Sequence, residues 1–134
     1  MEKMTISDIA RALNIPCPGE GEITGICTDS RQVAPGCLFV AIQGENFDGH
    51  DFIPAALEQG AACALAHRPG DWPAGKVLMV EDTLKALLAL SAWYRGQMPA
   101  RVVGITGSVG KTTTKEMTAA VLSARFRTVK TQGN

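Results

Sequence analysis

Residues 101–113 read RVVGITGSVGKTT, a short apolar run that enters a glycine-rich turn and ends in a lysine and two threonines. The apolar run predicts a strand, and residues 112–124 after the turn predict a helix with Met117 and Val121 on one side. A further strand is predicted at residues 128–130. A strand, a helix and a second strand in this order are typical of one parallel βαβ unit.

The same alternation of elements extends toward the N-terminus. Apolar patterning predicts helices at residues 6–15, 52–59 and 83–97, with Thr5, Asp51 and Asp82 as their respective N-caps. Strands are predicted at residues 23–28, 37–42, 61–66 and 77–80. Strands alternating with helices indicate an α/β fold.

Charge argues against a polyanionic partner. The chain has 134 residues, of which 46% are hydrophobic, and its 13 basic residues balance 13 acidic ones without clustering. A nucleic-acid-binding domain would show a basic patch, so we expect no nucleic acid partner. The length suits one domain with a core, or one small domain plus the start of another.

The cysteines and the N-terminus indicate a cytoplasmic protein. Four cysteines form no C-x-x-C pair and have no histidine at zinc-finger spacing, so we predict buried, reduced thiols at positions 17, 27, 37 and 63. The N-terminus carries no apolar signal region, and no apolar run approaches the ~20 residues of a membrane span.

The turn at residues 106–113 carries the strongest chemical signal. Consecutive backbone N–H groups in a glycine-rich turn converge on phosphate oxygens, and the following helix N-terminus adds a favourable dipole. Lys111 can then neutralise the β- and γ-phosphates of a nucleotide, and the Thr112 hydroxyl can bind Mg²⁺. A full Walker A motif would have glycine where the chain has Ile105. The alternative is a tight strand-to-helix turn with a capping threonine and a solvated lysine.

This loop and the sequence before it resemble the Mur ligases of peptidoglycan synthesis. The resemblance rests on Thr28–Arg31, Val33–Ala41 and Gly44–Phe52, and on two later motifs, Ile105–Met117 and Thr131–Asn134. It covers nearly the whole chain. Within the family, the later motifs are most similar to the members that add D-alanyl-D-alanine to a UDP-linked muramyl tripeptide.

The resemblance implies a domain order and a reaction. Residues 1–99 would be a small mixed α/β domain that binds the UDP-muramyl substrate, and residues 100–134 the first βαβ unit of a P-loop ATPase domain. ATP and Mg²⁺ would activate the tripeptide carboxylate as an acyl phosphate, which the amine of D-alanyl-D-alanine attacks. The other partners implied are the rest of the central domain and a C-terminal domain, both absent from this sequence, so the chain alone is predicted to be inactive.

The resemblance also assigns site residues. The residues implied to bind the ATP phosphates are Gly107, Ser108, Val109, Gly110, Lys111, Thr112 and Thr113. Of these, Lys111 and Thr112 would be catalytic, and Thr112 would also be a magnesium ligand. The residues implied to bind the UDP-linked substrate are Ser30, Arg31, Asp48, Gly49 and His50. Together they supply hydroxyl, cation and loop amide groups. By chemistry alone, the alternative is that Asp29 is an Asx-turn residue, Asp48 and Gly49 form a turn, and His50 is a partly buried hydrogen-bonding side chain.

Val109 departs from the family loop, which more often has asparagine there. A β-branched residue disfavours positive φ, so either the local backbone differs or the asparagine is dispensable. We interpret Trp72 and Trp93 as packing residues, Met117 as a core filler, and Lys115 with its neighbour Glu116 as surface charges.

Two alternative functions stay open. One is the related Mur ligase that adds the third peptide residue, diaminopimelate or lysine. The other is a nucleotide-sugar-binding module with a vestigial P-loop and no catalysis.

Overall fold

The computed structural model describes residues 4–132 and divides into two compact units, residues 1–98 and 99–134. In the first unit, strand β1 (Met4–Thr5) leads into helix α1 (Ile6–Leu13). The Thr5 hydroxyl accepts a hydrogen bond from the Asp8 N–H, and the Asp8 carboxylate accepts one from the Thr5 N–H. This capping box confirms Thr5 as the N-cap.

The predicted strand over residues 23–28 is divided between two sheets. Strand β2 (Glu22–Ile23) pairs antiparallel with β1, whereas β3 (Gly25–Cys27) is the first strand of the main sheet. Thr24 lies between them and donates its N–H to Gly36 O at 2.9 Å. A continuous apolar pattern does not reveal that its two halves have different partners.

The main sheet has four parallel strands in chain order: β3, β4 (Cys37–Val40), β5 (Cys63–Ala66) and β6 (Val77–Met79). Every adjacent pair is parallel. The prediction of an α/β fold is therefore confirmed. Because parallel strands run in one direction, the loops that follow all four of them lie at the same edge of the sheet.

Both faces of this sheet are buried. Leu38 and Val40 of β4 pack in one apolar cluster with residues of α1 and of helix α3 (Thr83–Gln97). Cys37 and Phe39, which point the other way, pack in a second cluster with helix α2 (Ile53–Glu58). A strand buried on both faces has no polar alternation, which explains the continuous apolar run.

The helix caps confirm one prediction and correct another. Asp82 caps α3, where its carboxylate accepts the Lys85 N–H at 2.9 Å. The predicted cap at Asp51 is wrong: Asp48 accepts the His50 N–H at 2.9 Å and begins a 3-10 turn over Gly49–Phe52 that leads into α2. The Asp51 carboxylate is instead bound by Arg68, at 2.8 Å.

Burial differs among the cysteines. All four are free thiols; Cys37 and Cys63 are buried, Cys27 is half-buried and Cys17 is exposed. The predicted burial is therefore wrong for Cys17, which lies in the loop after α1. Burial raises the pKa of the Cys63 thiol to about 12, so this thiol is not a nucleophile at neutral pH.

The second unit consists of helix α4 (Lys111–Ser123) and the segments on either side of it. Residues 101–106 and 128–130, both predicted as strands, are not in a sheet. A strand requires a hydrogen-bonded neighbour, and within the described residues these two segments do not pair. Met117 is 65% exposed, so its assignment to a core is also wrong. No helix in residues 4–132 is long and apolar enough to cross a bilayer.

Candidate functional site

The P-loop of the second unit takes its shape from two glycines. Gly107 has φ +150° and Gly110 has φ +79°, values that side chains rarely adopt. Gly110 is the N-cap of α4, and its carbonyl accepts the Thr114 N–H at 2.9 Å. Backbone N–H groups at a helix N-terminus form a favourable site for an anion.

Lys111 folds back over this loop. Its ammonium donates to Gly107 O at 2.7 Å, so the first residue of the helix is connected to the first residue of the turn. Thr112 and Thr113 occupy the exposed start of α4. The loop therefore brings together one cation, two hydroxyls and the amides of a helix N-terminus.

Val109 fits this loop without backbone strain. Among the described residues other than glycine, only Asn14 has a positive φ. The two left-handed positions of the P-loop fall on Gly107 and Gly110, and the Val109 side chain is 90% exposed. The loop conformation does not require asparagine at this position.

The residues of the P-loop fit a nucleotide and a divalent cation. A Cβ built on Gly110 would meet no atom within 4 Å, and one on Gly107 would meet only Val109 O at 3.8 Å, so the backbone is open to a bulky anion. Lys111 and the amides of the first turn would hold phosphate oxygens, and the Thr112 hydroxyl is a hard oxygen ligand of the kind Mg²⁺ prefers.

In the first unit, the predicted substrate residues follow β3 and β4 and so share the carboxyl edge of the sheet. Asp29 caps a 3-10 turn over Ser30–Gln32 by accepting the Arg31 N–H at 3.0 Å. The Arg31 guanidinium also binds both carboxylate oxygens of Asp29, at 2.9 and 2.7 Å. These hydrogen bonds hold the pKa of the Asp29 carboxyl well below its usual range. The Arg31 side chain is 86% exposed, and Ser30 is half-buried.

A cavity of about 300 Å³ lies beside this turn. Its lining residues come from β3, the turn and the segments that flank the turn, namely Gly25–Asp29, Gln32, Ala34 and Cys37. They include a carboxylate, an amide and two cysteines. This concave surface is of small-ligand size.

His50 is in the interior and not on the surface. Its ring is 2% exposed, with Nδ1 2.5 Å from Asp48 Oδ1 and Nε2 accepting the His67 N–H at 3.1 Å. This pattern places the proton on Nδ1 of a neutral ring. Both ring nitrogens are therefore engaged within the protein, and the ring fixes Asp48. The assignment of His50 to the UDP-linked substrate remains a prediction.

Gly49 is also buried, and the reason is steric. A Cβ at this position would lie 2.7 Å from Ile42 N and 2.8 Å from Ile42 O. The Gly49 N–H donates to Ile42 O at 2.9 Å, which closes the loop after β4. Only glycine fits here. Asp48 remains half-buried at the edge, and the His50 N–H and ring hold its pKa below the ordinary value.

Two further residues at this edge, His67 and Arg68, follow β5 and were not predicted from the sequence as site residues. Arg68 binds both Asp48 and Asp51, at 3.2 and 2.8 Å. The His67 ring lies edge-on to His50 with centroids 4.3 Å apart, and its Nδ1 is 3.2 Å from Oγ1 of the buried Thr83. Their position directly after a parallel strand was the available signal, since that is where site residues collect.

The chain is similar to known proteins over most of its length. The family model described as Mur ligase family, catalytic domain, matches residues 22–120. UDP-N-acetylmuramoyl-tripeptide–D-alanyl-D-alanine ligase of Escherichia coli (strain K12) is 48% identical over 136 residues, which cover 100% of this chain and 30% of the relative. UDP-N-acetylmuramyl-tripeptide synthetase of Roseiflexus sp. is 42% identical over 130 residues, covering 90% of this chain and 25% of the relative.

Solved structures give the same result. The crystal structure of MurF from Acinetobacter baumannii matches with a TM-score of 0.88 and 38% identity, over 100% of this chain and 30% of that one. MurF ligase from Thermotoga maritima in complex with ADP matches with a TM-score of 0.74 and 39% identity, over 81% of this chain and 25% of that one. The chain spans less than a third of the length of these proteins. Since the family model matches most of the chain and the fold matches throughout, the chain belongs to the Mur ligase family.

Proposed function

We propose that this chain is the N-terminal part of an ATP-dependent ligase that joins D-alanyl-D-alanine to UDP-N-acetylmuramoyl-tripeptide in peptidoglycan synthesis. The observation that carries the proposal is the P-loop, whose lysine and helix N-terminus are arranged for a nucleotide, in a chain 48% identical to a relative named for this reaction. Residues 1–99 would bind the UDP-linked substrate, and residues 100–134 would begin the ATP-binding domain.

The chemistry expected of the complete protein has two steps. A carboxylate oxygen of the tripeptide attacks the γ-phosphorus of ATP, and ADP leaves. The amine of D-alanyl-D-alanine then attacks the acyl carbon, and phosphate leaves with formation of the amide. Several anionic groups meet in the first step, so the positive charge of Lys111 and a Mg²⁺ held by Thr112 would stabilise it. Because the reaction consumes ATP, we assign it to the cytoplasm.

The related ligase that adds the third peptide residue is the second candidate, supported by the name of the Roseiflexus relative. The two candidates differ in both substrates. The complete protein, supplied with UDP-N-acetylmuramoyl-tripeptide, ATP and D-alanyl-D-alanine, is expected to release ADP and form the pentapeptide product, measured by chromatography. Product formation only from the dipeptide precursor and diaminopimelate or lysine would select the second candidate.

Arg31 provides a test of the substrate side of the proposal. In the complete protein, Arg31→Ala is expected to weaken UDP-substrate binding tenfold or more, since a charge-assisted hydrogen bond is worth about 1.5–3 kcal/mol. ATP affinity should not change. Calorimetry with the UDP-linked substrate measures the effect.

A matched control is Arg11→Ala. Arg11 forms a similar exposed ion pair with Asp8, but on α1 and not in a loop after a strand of the sheet. This control should leave UDP-substrate affinity unchanged. If Arg31→Ala behaves like the control, Arg31 is a surface charge and the assignment of its neighbours to the UDP site loses its support.

A further inference from the structure

Two lysines connect α4 to the segment that follows it. The Lys115 ammonium donates to Thr131 O at 2.9 Å, and the Lys130 ammonium forms an ion pair with the Glu116 carboxylate. The two links join neighbouring positions on the helix to neighbouring positions on the segment. They differ in environment, because the Lys115 side chain is only 16% exposed and that of Lys130 is 45% exposed.

The Lys115 link lies at the P-loop end of α4. Lys115 lies one helical turn after Lys111 and therefore on the same face of α4. Helical side chains lean toward the helix N-terminus, so the Lys115 ammonium extends toward the turn that begins at Lys111. Thr131 is consequently held against the end of α4 where the nucleotide phosphates are expected.

The Lys115 and Lys130 links also differ in how close each ammonium lies to the Glu116 carboxylate. Glu116 lies closest to Lys130, whose hydrogen bond holds the pKa of that carboxyl below its ordinary value, whereas the carboxylate is 3.9 Å from Lys115. Lys115 thus donates a hydrogen bond to a main-chain carbonyl and also lies within ion-pair distance of Glu116. A side chain that is only 16% exposed and bonded to the main chain 16 residues away is held in place, unlike a freely solvated surface lysine.

We propose that Lys115 is a positioning residue of the nucleotide site. Its ammonium fixes the main chain at Thr131 against the first two turns of α4, so that the P-loop and the segment after α4 form one preorganised unit for the triphosphate. Without this link the segment would have to be ordered when the nucleotide binds, and the cost of ordering would appear as weaker binding. The inference rests on the proposed use of ATP.

The test compares three variants of the complete ligase. Lys115→Met keeps the apolar stem and removes the ammonium, and it is expected to raise the KM for ATP and the Kd for ADP about tenfold, the usual scale for a charge-assisted hydrogen bond. The KM for the UDP-linked substrate should stay within about twofold. Lys115→Arg restores a donor and should recover most of the loss. Lys130→Met removes the exposed link and should change ADP affinity less than twofold, as for a surface ion pair.

The outcomes separate this inference from the proposed reaction. An ADP affinity unchanged by Lys115→Met, an equal loss in Lys130→Met, or no recovery in Lys115→Arg would each overturn the positioning role. Equal losses for ADP and the UDP-linked substrate would also overturn it, because they would show general destabilisation. A wild-type protein that binds ADP but ligates neither candidate substrate, with ADP binding still weakened in Lys115→Met, would support the role of Lys115 and refute the proposed reaction.

Discussion

Lys111→Ala in the complete protein is expected to reduce ligation by about a thousandfold or more, the scale seen when a group that stabilises transferring charge is removed. Two contributions are lost together. One is the positive charge at the β- and γ-phosphates, and the other is the 2.7 Å hydrogen bond to Gly107 O that connects the helix to the turn. Turnover is measured as ADP release and as amide product.

The controls for Lys111→Ala are a second ligand and a second lysine. Affinity for the UDP-linked substrate should remain within a few-fold, because the proposed role of Lys111 is at the ATP phosphates. Lys85→Ala removes an exposed lysine from the first turn of α3, a helix start capped by Asp82, and should leave turnover unchanged. Turnover of Lys111→Ala above about a tenth of wild type would refute the P-loop assignment.

The sequence predicts most of the first unit because its signals are local. The strand at Cys37–Val40 is an apolar run between glycines, and the caps at Thr5 and Asp82 precede apolar periodicity directly. Such features depend on residues within one or two turns of each other. The fold class follows from their order along the chain.

The errors in the first unit arise where residues distant in sequence compete. Asp48 and Asp51 are both good helix caps, and Arg68 binds both carboxylates from 17 residues beyond Asp51. The two ring nitrogens of His50 are used by Asp48 and by the backbone of His67, which lies 17 residues away in the sequence. No local pattern indicates these tertiary partners, so the cap and the orientation of the histidine could not be predicted.

The P-loop shows a different limit of prediction from sequence. Its motif predicts the start of α4 at Lys111 to within one residue, since the glycines fix where the turn ends. The motif does not reveal that Val109 avoids positive φ or that the Lys115 side chain is mostly buried. The backbone of Val109 depends on which residues of the turn adopt positive φ, and these are the two glycines. The burial of Lys115 depends on the path of the chain 16 residues later.

The two units also differ in how much of their apolar surface is covered. In the first unit, Leu38 and Leu65 are fully buried between helices. In the second, the apolar side chains on and around α4 remain largely exposed, including Val102 at 71%, Val121 at 73% and Val129 at 92%. An isolated helix of this length is marginal in water, so α4 depends on packing that the described residues provide only in part.

We therefore expect hydrogen exchange on the 134-residue chain to divide at about residue 99. Amides of β4 and β5 should exchange orders of magnitude more slowly than those of residues 101–132, because exchange in the second unit requires only local opening. The helical amides of α4 are the informative ones: they are hydrogen-bonded, yet the helix has little burial to protect it. The Lys115 link alone does not replace the missing burial, so in the 134-residue chain the P-loop must still be ordered when a nucleotide binds, and this chain alone should neither hydrolyse ATP nor form an amide bond. Comparable protection in α4 and β4, or measurable ATP turnover by the purified chain, would show that the second unit folds and functions without further sequence.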